Sequence, residues 1–255
     1  AAGNITLTAD DLVLGGNLSG TGTITLQPYS TSRIVRVNNS TTDFNLSTAE
    51  IAYLVDGWSG INIGNSSSSV DLFVGNTSWI DPVNFRSNYR KTIYALTGTG
   101  NASFAFGSGG WIDLFGDITT AGGAVDASGA SYIFINNVSS TKTITTNGGA
   151  VILSALNINN TAGNLVVNSG GGNITVASIY STAGISSNSV TLNAGTGNVS
   201  VTGTSNGGAN LSATGATITL SGAVGATSPM GNVTLTATNS ISLPAITTAA
   251  GKTVD

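Results

Sequence analysis

A parallel β-helix is the fold this sequence predicts, on three observations. A short phrase, Gly-Asn followed by alternating aliphatic and hydroxyl residues, recurs along the chain. Apolar residues alternate with Thr, Ser or Asn at period two, the spacing of a strand with one buried face. Gly and Asn gather between these runs, where tight turns need positive φ.

The phrase first appears as Gly3-Asn4-Ile5-Thr6-Leu7-Thr8, and Ile24 with Leu26 continues the alternation. It returns at Gly100-Asn101-Ala102-Ser103-Phe104, Gly163-Asn164-Leu165-Val166-Val167, Gly172-Asn173-Ile174-Thr175-Val176, Gly197-Asn198-Val199-Ser200-Val201 and Gly231-Asn232-Val233-Thr234-Leu235-Thr236. Val190 with Leu192, Ile218 with Leu220, and Ile241 with Leu243 keep the same spacing. A second phrase, Ile118-Thr119-Thr120-Ala121-Gly122-Gly123-Ala124-Val125, recurs as Ile144-Thr145-Thr146-Asn147-Gly148-Gly149-Ala150-Val151. Spacings of roughly 20 to 35 residues suit a solenoid, in which each coil buries its apolar face only against its neighbours. A β-propeller would require a more uniform period and a recurrent aromatic per blade, whereas Tyr180 is the only aromatic after Phe134.

Two segments depart from plain coil. Ser47-Thr48-Ala49-Glu50 reads as a capping box opening one or two helical turns, with Ile51 and Leu54 on one face. Gly64-Asn65-Ser66-Ser67-Ser68-Ser69 reads as a polar turn projecting from its coil. The whole chain reads as a single β-helix over 1–255. Its coils are embellished and carry the aromatics and charges over 1–134, and they are plain and Gly/Thr/Asn-rich over 135–255.

Composition restricts the chemistry. Of 255 residues, 35 are Gly and 4 Pro, none is Cys or His, and 7% are charged against 40% hydrophobic. Disorder does not fit a mean hydropathy of +0.25. Without Cys or His there is no disulfide, thiolate or imidazole metal site, Cys nucleophile or Ser-His-Asp triad. Seven Lys and Arg against eleven Asp and Glu leave no basic footprint for nucleic acid. No apolar run is long enough to span a bilayer. The opening Ala1-Ala2-Gly3-Asn4 has no signal-peptide character, so the chain is expected to be a mature form or a piece of a longer one.

The block Ile5-Thr6-Leu7-Thr8-Ala9-Asp10, Leu14-Gly15-Gly16-Asn17-Leu18-Ser19-Gly20-Thr21-Gly22, Leu46 to Ile51, Asp56-Gly57-Trp58 and Ile61-Asn62-Ile63-Gly64 resembles the body repeats of filamentous-haemagglutinin-like exoproteins. The resemblance implies a right-handed β-helix, secretion to the cell surface by the two-partner route, and an adhesive or surface-structural role. The Asn-Pro-Asn-Gly motif of that family's secretion domain is absent from this sequence.

Candidate site residues lie mainly in the first half. Trp58, Trp79 and Trp111 would form a carbohydrate-stacking platform if they shared a face; packing beneath the loops is the competing reading. Arg86, Tyr89, Arg90 and Lys91 offer charge and stacking to an anionic glycan. Asp10-Asp11, Asp81, and Asp113 with Asp117 are the carboxylates to weigh for acid/base work, with turn or solvent positions as their ordinary reading. Asn4, Asn17, Asn45, Asn76, Asn101, Asn173, Asn198 and Asn232 stand in Asn-x-Ser/Thr, an acceptor pattern for N-glycosylation that the strand phrase itself generates.

The expected function is a non-enzymatic extracellular structural or adhesive β-helix, either the body of a large adhesin or a subunit stacking head-to-tail into a filament. The alternatives are a glycan-binding module using the first-half Trp and Arg residues and, more remotely, a β-helical polysaccharide-degrading enzyme. No cofactor, metal, nucleic acid or membrane insertion is expected. The partners are the chain itself, adjoining repeats, or host or matrix glycans.

Overall fold

The computed structural model describes residues 3–39, 43–107, 109–135, 140–158, 163–181 and 188–255. It is a parallel β-helix, with strand over about 51% of the chain and helix over about 2%. Two compact units divide it, Ala1–Ala130 and Ser131–Asp255.

The first unit holds β1 (Ile5–Thr8), β2 (Thr23–Gln27), β3 (Val35–Val37), β4 (Phe44–Leu46), α1 (Thr48–Ala52), β5 (Gly60–Asn65), β6 (Leu72–Val74) and β7 (Thr77–Trp79). It continues through β8 (Val83–Ser87), β9 (Lys91–Ile93), β10 (Leu96–Gly98), β11 (Phe104–Phe106), β12 (Trp111–Leu114) and β13 (Ile118–Thr119) into β14 (Val125–Ile135), within which the division falls. Strands β1, β2, β5, β8, β11 and β14 stack in parallel. Their register places Ile5, Ile24, Ile61, Val83, Phe104 and Val125 in one column. A second column runs Leu7, Leu26, Ile63, Phe85 and Phe106. Period-two alternation sends these side chains inward and Thr6, Thr25, Asn62 and Asn84 outward. Strands β3, β6, β9 and β12 form a second stack, β4 lying on the other side of β3, and β7 pairs with β10 in a third.

Coil length is uneven. Thirty-seven residues separate Ile24 from Ile61, against 22 from Ile61 to Val83. The long coil contains α1, where both reciprocal bonds of the capping box form: the Glu50 N–H donates to Ser47 Oγ, and the Ser47 N–H donates to Glu50 Oε2 at 2.8 Å. Glu50 Oε1 also accepts from the Leu14 N–H at 3.1 Å, tying the helix to the coil before it. The polar turn after β5 does not project throughout: Ser68 is buried, and its hydroxyl donates to the Thr31 carbonyl, which must be satisfied once out of water.

The second unit contains the rest of β14, then β15 (Lys142–Thr145), β16 (Val151–Ile158), β17 (Asn164–Asn168), β18 (Ile174–Ser181), β19 (Ser189–Asn193), β20 (Val199–Val201), β21 (Ser205–Asn206), β22 (Asn210–Leu220) and β23 (Val233–Ser242). One column runs Ile144, Val167, Leu192, Ala213 and Leu235, and another runs Val151, Ile174, Val199, Ile218 and Ile241.

The repeated phrases now have a mechanical meaning. The side-chain oxygen of Asn173 accepts the backbone N–H of Asn198 at 2.9 Å, and that of Asn198 accepts the N–H of Thr217 at 3.2 Å. Asn210 and Asn232 bond in the same way to Asn232 and Thr253, Asn164 to Ser189, Asn4 to Thr23, and Asn76 to Ala95. In the second phrase Thr120 and Thr146 are buried, and each hydroxyl donates to a Gly carbonyl three residues on, Gly123 and Gly149. Asn147 takes positive φ, 51°, in that turn.

Two stability outcomes follow from these contacts. Replacing Phe85, which is fully buried and stacked on Phe104 and Phe106 of the next coil, by Ala should cost about 3–5 kcal/mol, read as a shifted denaturant midpoint. Asn198→Ala, which removes one inter-coil bond, should cost about 1 kcal/mol in the same assay, and Asn198→Asp should retain the acceptor.

Candidate functional site

Helix α1 gives the long coil of the first unit a feature that plain coil lacks. In the long coil it occupies the place of a strand beneath β7, so β7 pairs with β10 on one side and, among the described residues, with no strand on the other. Between α1 and β7 lies a cleft of about 640 Å³. Thr48, Ile51, Ala52 and Leu54 form one wall; Ser78, Ile80 and Asp81 form the other; Thr97 and Thr99 extend it along the next coil. Asn38 and Asn76 close one end, joined by the Asn38 amide donating to the Asn76 carbonyl at 2.7 Å.

Among the described residues Asp81 is the only ionisable one lining the cleft. It is 2% exposed, and its carboxylate accepts the backbone N–H of Gly57 at 3.2 Å and that of Trp58. Burial lifts its pKa above the ordinary aspartate value against these two donors, and the adjoining Asp56 carboxyl, hydrogen-bonded to it, adds to the rise. Asp56 and Asp81 lie 25 positions apart, about one coil, a pairing that the sequence reading did not make although the coil period points to it.

The three tryptophans do not form a shared platform. Trp58 and Trp79 are 1% and 2% exposed, and the Trp79 indole N–H donates to Thr77 Oγ1 at 2.9 Å. The Trp58 ring occupies the space above Gly20 that any side chain there would fill. Trp111 alone keeps an outward portion, in an edge contact with Tyr89 at 5.0 Å between ring centres.

The basic group is divided too. Arg90 is held by Asp71 through two bonds, 3.0 and 2.6 Å, and lies over the Phe73 ring, which Arg36 also covers from its pairing with Asp43. Arg86 bonds Ser66 at 3.0 Å. Lys91 points the other way, which corrects its grouping with Arg86 and Arg90 as a glycan contact. Register sets it in the inward column Val35, Leu72, Lys91, Ile112, and its ammonium donates to the Gly109 carbonyl at 2.8 Å. Alternation with Ile93 was the available signal: residues two apart share a face. Burial lowers its pKa to about 8.

The remaining carboxylates have structural settings. Asp10 accepts the Ser30 N–H at 2.7 Å. Asp113 lies opposite Thr92 in the ladder and is buried rather than solvent-facing; its charge acts on Arg90. Asn4, Asn17, Asn76, Asn101, Asn173, Asn198 and Asn232 are exposed, and Asn45 is half-buried on β4. Outside the cleft, Tyr94 and Phe115 form a stacked, partly exposed pair 5.5 Å apart. Among the described residues, three or more metal-ligating side chains nowhere come together, and no helix is long and apolar enough to cross a membrane.

Lys91 sets a pH dependence of known sign. Its folded-state pKa of about 8 lies below the unfolded value of about 10.4, so the unfolded chain binds more protons between the two, and stability rises as pH increases through that interval. Urea denaturation across pH 7–11 should show this rise, and Lys91→Met should flatten it. Compared with known proteins, the chain matches no family model, no curated protein and no solved structure.

Proposed function

We propose that this chain is a non-enzymatic structural or adhesive β-helix acting outside the cell, as in the filamentous-haemagglutinin-like exoproteins its first coils resemble. The observation that carries this reading is the use of its polar side chains. In both units Asn oxygens are spent joining one coil to the next rather than converging on a substrate. Outer columns are largely Thr, Ser and Asn, as in Thr6, Thr25 and Asn62 of one unit and Thr175, Ser200 and Thr219 of the other. A surface built this way serves repetition and stiffness.

Such a body extends by adding coils. Among the described residues β1 pairs with β2 alone, whereas β23 pairs with β22 and, at Val233 and Leu235, also bonds the backbone of Thr253 and Asp255, which leaves its later part around Ile241 beside no further strand. Ile5 and Leu7 are only half-buried, and Ile241 and Leu243 are each 43% exposed. An open parallel edge with aliphatics beside it favours a further strand, from adjoining repeats or from a second copy head-to-tail. Sedimentation of the purified chain should therefore show association that grows with concentration, and Leu7→Lys or Ile241→Lys should suppress it. A single 25.2 kDa species at every concentration would remove the filament version of this reading.

A further inference from the structure

We propose that the cleft between α1 and β7 is a binding site for a neutral oligosaccharide. This goes beyond the scaffold reading and does not depend on it. At about 640 Å³ the cleft lies within the usual 300–1,000 Å³ of small-molecule sites. Its walls combine two surfaces that a sugar ring presents together. Ile51, Leu54 and Ile80 offer apolar contact to C–H faces, while the side-chain NH2 of Asn76, whose oxygen is taken by the Ala95 N–H, and the hydroxyls of Ser78, Thr97 and Thr99 offer donors and acceptors.

Charge selects among ligands. Among the described residues no Lys or Arg lines the cleft, so uronate, sulfate or phosphate groups would be desolvated without a counter-charge. The Asp81 carboxylate, held by the backbone N–H groups of Gly57 and Trp58, adds like charge against an anionic ligand and can accept from a sugar hydroxyl.

Strand addition by a peptide fits less well. In a parallel ladder alternate residues bond to opposite sides, and Thr77 and Trp79 are turned towards β10: the Thr77 N–H donates to the Ala95 carbonyl, and the Thr99 N–H donates to the Trp79 carbonyl. Ser78 alone presents its backbone pair to the cleft, which is too little for a strand and enough for one or two hydroxyls.

The test is isothermal titration of the 255-residue chain with neutral hexasaccharides (β-1,4-gluco, β-1,3-gluco and β-1,4-manno), with hexagalacturonate, and with a Val-Thr hexapeptide. At least one neutral ligand should bind about tenfold or more tightly than hexagalacturonate and the peptide. The double substitution Ser78→Trp, Thr97→Trp changes two exposed residues and fills the cleft; it should weaken binding about tenfold or more, whereas Thr234→Trp in the second unit should leave it unchanged. Should the filled variant fail to fold by circular dichroism, hydrogen exchange of the unsubstituted chain decides, with ligand-induced protection expected at residues 76–81 and 95–99. Absence of binding by every neutral ligand, a preference for galacturonate or peptide, affinity untouched by filling the cleft, or protection elsewhere overturns the proposal.

Discussion

Register between successive coils is the constraint on which everything else in this protein depends. Each strand takes its backbone partners from the coils before and after it, so a shift of one residue would turn an inward column outward. The columns Ile5 to Val125 and Ile144 to Leu235 therefore extend only if every coil returns to the same phase. Length is free only between strands. That is why 37 residues, an extra strand and a helix fit between Ile24 and Ile61 without disturbing the pairing of β2 with β5. It is also why the insertion leaves a cleft: the helix fills the coil without completing the ladder beneath β7.

The same constraint governs the polar groups. A parallel stack brings equivalent side chains close together, and each polar residue must match its own equivalent one coil away. Asn satisfies this by passing its carbonyl oxygen to the next backbone N–H. Lys91 does so by burying its stem in an aliphatic column and ending on the Gly109 carbonyl. Phe73 does so by accepting guanidinium groups from Arg36 on the preceding coil and Arg90 on the following one. Each case exploits vertical neighbours rather than neighbours in sequence.

What could be read from the sequence divides along that line. Strands were legible because Ile5-Thr6-Leu7-Thr8 and its repeats carry period two locally, and the helix was legible because Ser47 and Glu50 lie three apart. The fates of Trp58 and Trp79 were not, because burial there depends on Gly20 and Phe85, residues from other coils. Nor was the Asp56–Asp81 pair, which requires knowing that 25 residues complete a circuit. Asn-x-Ser/Thr was read as an acceptor pattern, yet the side-chain oxygens of Asn4, Asn76, Asn173, Asn198 and Asn232 are hydrogen-bond acceptors between coils. The cleft was illegible because it arises from a missing strand.

The asparagine ladder also accounts for why so few residues here are charged. Aspartate offers the same acceptor oxygen and would make the same bond to the next coil. Repeated at strand spacing, however, aspartates would form a column of like charges about 4.8 Å apart, each adjacent pair repelling by about 1 kcal/mol even in water. A neutral amide can be repeated without that accumulating penalty. Exchanging the amide for a carboxylate at one position would keep its bond and change little, whereas the same exchange at consecutive coils would place repulsion along the line that holds them in phase.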